Sequence, residues 1–136
     1  MDPGYAVSLR TPTIDEYLGL RIASGLSPKT ADGSAKGLPN TLVGVVVEHA
    51  GTAVGMGRAV GDGGLFVQLV DIAVEPAHQG RGLGKAIVGA LMDELRRITP
   101  PGTYVSLLAD GEAHRLYAAF GFQPTAPASV GMALSL

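Results

Sequence analysis

The chain has no cysteine and no tryptophan, only 3 histidines, and aromatic residues make up 5% of its 136 positions. Without cysteine there are no disulfides, no thiolate-bound metal and no cysteinyl acyl intermediate, so direct transfer from donor to acceptor is the simpler route. His49, His78 and His114 stand in no metal-ligand spacing with one another or with carboxylates. No structural or catalytic metal is therefore expected, and each histidine reads as a surface residue. Neither charge sign dominates: 10 Lys and Arg against 12 Asp and Glu give a net charge of −2. Scattered cations offer no footprint for nucleic acid or an anionic membrane, so the expected partners are small molecules. No apolar run approaches the ~18 residues of a membrane span, and Met1-Asp2-Pro3-Gly4 lacks the basic start and apolar stretch of a signal peptide. A cytoplasmic protein is expected.

What is present suits one compact enzyme. Hydrophobic residues make up 46% of the chain, enough to fill the core of a single domain over residues 1–136. Residues 5–9 read as a strand, and Thr13-Ile14-Asp15-Glu16 is a capping box opening a helix with Ile14, Tyr17, Leu18 and Ile22 on one face and Gly25 as its stop. Ser27-Pro28 reads as the N-cap and first residue of a second short helix. Residues 42–47 and 53–60 form a hairpin across Glu48-His49-Ala50-Gly51-Thr52, and residues 65–74 form a central, nearly uninterrupted apolar strand. Residues 85–98 carry Ile87, Val88, Leu91, Leu95 and Ile98 on one helical stripe. A crossover strand at 104–108, a short helix at 113–120 capped by Gly121 and a final strand at 130–134 complete the pattern.

Between the central strand and the long helix stand Gln79-Gly80-Arg81-Gly82-Leu83-Gly84. Residues without side chains let backbone N–H groups approach an anion, and the helix that follows offers unpaired N–H groups and the positive end of its dipole. This is not a P-loop, because Gln79 replaces its first glycine and Ala86 its magnesium-binding hydroxyl. Nor is it a dinucleotide fingerprint, which needs Gly or Ala where Lys85 stands and normally opens a chain of alternating strands and helices. The pattern that fits is Q/R-x-x-G-x-G/A.

With Val70-Asp71-Ile72-Ala73-Val74 and Glu75-Pro76 before that loop, and Leu116-Tyr117-Ala118-Ala119-Phe120-Gly121-Phe122 after it, the chain resembles the GNAT superfamily of acyl-CoA-dependent N-acyltransferases. The resemblance implies an α/β GNAT fold: a mixed central sheet of about six or seven strands, flanked by about four helices, with two splayed parallel central strands. It implies acetyl-CoA as co-substrate, with its pyrophosphate on Gln79, Gly80, Arg81, Gly82, Leu83, Gly84 and Lys85. It also implies a pantetheine arm paired with backbone groups of Ile72, Ala73 and Val74. Arg81 and Lys85 read equally well as solvated helix-start residues.

By the same resemblance Tyr117 holds the family's tyrosine position, where a phenol can contact coenzyme A and protonate its departing thiolate. The alternative is a core tyrosine beside Phe120. Asp71 is a candidate base, a partner of loop N–H groups or an anchor for the substrate ammonium. Gln68 matches a position where some relatives carry a catalytic glutamate, and an amide cannot take a proton. Asp110-Gly111 replaces the family's cofactor-contacting asparagine. The segment from Tyr104 to Asp110 with Leu116-Tyr117 and Gly131-Met132 resembles the serotonin or arylalkylamine acetyltransferase-like branch of bacteria and plants. Polyamine, aminosugar and amino-acid acceptors stay open. A non-catalytic acetyl-CoA sensor and a protein lysine or N-terminal acetyltransferase are the rival readings. The apolar residues 130–136 permit a homodimer.

Overall fold

The computed structural model describes residues 3–136, so Met1 and Asp2 of the N-terminal signal reading lie outside the described residues. Five strands, β1 (Tyr5–Leu9), β2 (Val43–His49), β3 (Thr52–Gly61), β4 (Phe66–Val74) and β5 (Tyr104–Ser106), lie in the order β1-β2-β3-β4-β5. The first four pair antiparallel, and β5 lies parallel to β4. Ala50 (φ +50°) and Gly51 (φ +80°) close the β2–β3 hairpin, both in the left-handed region that a tight two-residue turn requires.

Two layers of helix cover the sheet. The helix α3 (Leu83–Ile98) lies on one face, where Leu83, Ile87, Val88, Leu91 and Leu95 bury against Val45, Val47, Val54, Val67 and Leu69. It can press close because β3 carries Gly57, where a Cβ would fall 2.5 Å from Ile87 Cγ2 and 2.7 Å from Ile72 Cδ1. On the other face Tyr17 and Leu20 of α1 (Ile14–Ala23), with Leu38 after α2 (Ala31–Gly37), pack on Met56 and Ala73. β2 is covered on both sides, which explains its unbroken valine run. The short α4 (His114–Ala118) follows a single 3-10 turn.

Several expectations need correction. The capping box of α1 is present, with Glu16 N–H donating to Thr13 Oγ1 at 3.1 Å and Thr13 N–H to Glu16 Oε1 at 2.8 Å. The buried face, however, is Tyr17, Leu20 and Arg21, while Ile22 is 67% exposed. Periodicity placed the stripe one step around, because an arginine does not register as inward-facing. The second helix starts at Ala31 with Thr30 as N-cap, since Ser27 uses its carbonyl and hydroxyl to bind Arg21. The strand expected at 130–134 does not form, and the described residues make a sheet of five strands rather than six or seven. Ser129 N–H closes a turn on Thr125 C=O at 3.1 Å. The chain then passes Leu108, beyond the end of β5, with a Gly131 Cβ position 2.7 Å from Leu108 Cδ2. Alternating apolar residues make a strand only where an edge is offered alongside them. Val130, Met132 and Leu134 are instead exposed.

Candidate functional site

The site begins with a defect in β4. Met56 pairs with Ala73 and Arg58 with Val70, so Gly57 alone faces two β4 residues, Asp71 and Ile72. This is a β-bulge, and it holds Asp71 at φ +60°. On its other side β4 keeps β5 only through Phe66–Tyr104, Val67–Val105 and Gln68–Ser106. Beyond Gln68 the two strands part, and among the described residues no strand pairs with the β5 side of β4 from residue 69 onward. A cleft of about 370 Å³ opens there, lined by Gln68, Asp71, Ile72 and Tyr117 together with Arg21, Lys29 and Asp110.

The glycine loop lies at the end of the same strand. Gln79 donates its side-chain amide to Val74 C=O at 3.0 Å, closing the loop on β4. Gly80 (φ +76°) and Gly82 (φ +80°) are left-handed, and no atom lies within 4 Å of a Cβ placed on either. Gly82 is the N-cap of α3 and has no side chain to satisfy the first turn, so the N–H groups of Leu83, Gly84 and Lys85 have no intrahelical partner. The open space faces a row of backbone donors at a positive dipole end, a geometry that fits a diphosphate. Leu83 itself is buried, so its contribution is main-chain only. Arg81 and Lys85 are exposed at the loop. His78, expected at the surface, is half-buried: its Nδ1 lies 2.7 Å from the Tyr5 hydroxyl, and its ring lies 5.0 Å from that of His49.

Tyr117 is buried at the cleft wall, edge-on to Phe122. Burial pushes its phenol above the ordinary value, and the charge of Asp110 pushes in the same direction. The phenol therefore stays protonated at neutral pH.

Asp71 is engaged on both oxygens. Arg21 Nη1 donates to Oδ1 at 2.5 Å, the Tyr17 hydroxyl donates to Oδ1 at 3.0 Å, and Arg58 Nη1 donates to Oδ2 at 2.8 Å. The side chain is 6% exposed. Arg58 also donates to Thr41 Oγ1 and Gly37 C=O, and Arg21 to Ser27 C=O and Oγ. Both guanidiniums lie about 6 Å from the Tyr17 ring centroid. Burial raises the Tyr17 phenol, with the Asp71 charge adding to it. Sequence reasoning missed Arg21, Arg58 and Tyr17 as a group. The available signal was Arg58, a lone cation in an apolar strand, matched by Asp71, a lone anion in the next strand.

A family model described as Acetyltransferase (GNAT) domain matches residues 41–124. A Probable Acetyltransferase from meticillin-resistant Staphylococcus aureus is 42% identical, covers 97% of this chain and 99% of its own, and superposes with a TM-score of 0.92. Serotonin N-acetyltransferase 2, chloroplastic, from Oryza sativa subsp. japonica is 36% identical over 84 residues, 62% of this chain and 41% of that protein. A histone acetyltransferase from Glycine max is 32% identical over 79 residues, 58% of this chain and 33% of that protein. The chain thus spans well under half the length of these curated plant relatives.

Proposed function

The chain belongs to the GNAT acetyltransferase family, and on that premise we propose that it moves an acetyl group from acetyl-CoA directly to a primary amine of a small molecule. Arylalkylamines, polyamines and aminosugars are the acceptor classes in view. The observation that carries this reading is the pairing of an open left-handed glycine loop at the start of α3 with a β4 edge that loses its neighbour after Gln68. The β4 edge lines the cleft that holds Tyr117, and Gly84 of the loop lies against Leu116, the residue before it.

The residues divide the work. Backbone N–H groups of Gly80 to Lys85 hold the diphosphate, and the bared β4 edge at Ile72, Ala73 and Val74 orients the pantetheine arm. Acetyl-CoA, when bound, supplies the acyl carbon of a thioester. Tyr117 gives its proton to sulfur as the C–S bond breaks and the C–N bond forms. Its phenolate then takes the proton that the new amide nitrogen sheds, which restores the acid. Asp71, with each oxygen taken by a guanidinium, acts as a positioning residue for Arg21 in the cleft wall rather than as the base.

The test measures acetyl-CoA binding and free-thiol release with amines, aminosugars and peptides. Binding with release on small amines is expected. Binding without release from any acceptor would point to a sensor, release on peptides alone to a protein acetyltransferase, and absence of binding would overturn the reading. The exposed apolar side chains of Val130, Met132 and Leu134 also support a homodimer built through that segment, measurable by light scattering.

A further inference from the structure

We propose that the acceptor amine also carries an anionic group, a carboxylate or a phosphate, that Arg21 and Lys29 receive this anion, and that Asp110 faces the ammonium. This rests on the acetyl-transfer reading and narrows its acceptor to amino-acid-like or phosphorylated amines.

The first observation is a charge imbalance. Arg21 and Arg58 share the one carboxylate of Asp71, so this trio carries one positive charge in excess. Arg21 is 7% and Arg58 8% exposed, and a positive charge that far from water is costly without a countercharge. An anion bound in the cleft supplies one.

The second is donor capacity. The Arg21 fork uses one N–H of Nη1 on Asp71 and one of Nη2 on Ser27 Oγ. Each nitrogen bears a second N–H, and Arg21 lines the cleft. A planar guanidinium with donors left over matches a carboxylate or phosphate better than any neutral group. Lys29 is exposed at the same wall, and it also lines an adjoining cavity of about 150 Å³ that Arg58 borders.

The third is polarity across the cleft. Arg21 and Lys29 come from α1 and the segment after it, whereas Asp110 and Tyr117 come from the 3-10 turn and α4. Asp110 acts on Tyr117 through its charge, which puts the negative pole beside the proton donor. An amine directed to that pole meets the proposed acid, while its anion reaches Arg21 and Lys29. A purely cationic acceptor would instead set positive charge against the arginine end, and like-charge contact is penalised.

The experiment uses three matched pairs: tyrosine and tyramine, ornithine and putrescine, glucosamine 6-phosphate and glucosamine. Each is titrated calorimetrically into the protein with and without coenzyme A, and each is assayed for thiol release with acetyl-CoA. The anionic member of at least one pair is expected to bind, and to react, about tenfold better, roughly the value of one charge-assisted contact. The tyrosine and ornithine arms report a carboxylate, the glucosamine arm a phosphate. Lys29→Glu, on the surface, is expected to abolish that preference without unfolding the chain. Anion-preferring binding with no thiol release would uphold the inference while removing the transfer reading. Equal or weaker binding of the anionic member in all three pairs, or a preference untouched by Lys29→Glu, overturns it.

Discussion

Asp71 sits at φ +60°, in a conformation most residues avoid, and from there presents Oδ2 to Arg58 Nη1 at 2.8 Å across a register shift. Its other oxygen takes Arg21 of α1, so the β3–β4 bulge and the ion pair that braces α1 depend on the same residue. Asp and Asn tolerate this backbone region, so Asp71→Asn removes the charge while leaving the bulge unstrained. Two buried guanidiniums then lack their countercharge. The expected loss is about 3 kcal/mol or more in urea unfolding. A loss under about 1 kcal/mol would mean that the network contributes little to holding the helix.

Gly57 sets how closely α3 approaches the sheet. A methyl there meets Ile87 Cγ2 at 2.5 Å and Ile72 Cδ1 at 2.7 Å, both at contact distances real structures do not show. Gly57→Ala is expected to cost about 1 to 3 kcal/mol by overpacking. Ile87→Leu in the same chain should recover part of that loss, since it removes the β-branch methyl Cγ2 that the new methyl meets. Additive losses in the double variant would show that the two sites are not coupled.

The loop, the long helix, the hairpin and the antiparallel strands could all be read from residues 5–98, because each is written in local chemistry. The glycines at 80 and 82 meet positive φ, the capping box at Thr13 and Glu16 closes a helix, and Ala50-Gly51 makes a tight turn. What could not be read depends on partners distant in sequence. Tyr17, Arg21 and Arg58 converge on Asp71 from 54, 50 and 13 positions away, and no local pattern encodes that meeting. The same holds for residues 130–134, where alternation suited a strand but no edge lies alongside. It holds too for Tyr5 and His78, whose 2.7 Å contact joins β1 to the turn before the loop across 73 positions.

Tyr117 is expected to matter for turnover rather than for binding. Its phenol is raised by burial and by Asp110, so it is protonated at neutral pH and is present in the form the proposed acid needs. Tyr117→Phe keeps the ring against Phe122 and removes the proton. The expected result is a fall in kcat of about a hundredfold, the low end for proton transfer, with acetyl-CoA affinity nearly unchanged. Unchanged kcat would leave Tyr117 a packing residue.

Gly82 separates cradle geometry from fold stability. Its φ of +80° disfavours any side chain, but no neighbour lies within 4 Å of the added Cβ. Gly82→Ala should therefore cost only about 1 kcal/mol of stability. The new methyl occupies space beside the free N–H groups at the start of α3, so acetyl-CoA affinity is expected to fall about tenfold or more. Calorimetry alongside thermal unfolding checks both. A stability loss with unaltered affinity would place the phosphates elsewhere.

The start of α1 carries a pH dependence of fixed sign. The Arg10 guanidinium, hydrogen-bonded to Glu16, holds its carboxyl down from 4.5 to about 2, with Thr13 N–H assisting. A carboxyl whose folded value is depressed contributes stability that is complete above its unfolded value and is lost as pH falls toward the folded one. The window is therefore pH 4.5 down to about 2. Glu16→Gln removes the charge pair and weakens the reciprocal cap, so it is expected to cost about 1 kcal/mol at pH 7, since the pair is partly solvated. That difference should narrow steadily below pH 4.5 and nearly vanish near pH 2 in paired urea titrations. A gap that persists at pH 2 would assign the effect to shape rather than to the charge of Glu16.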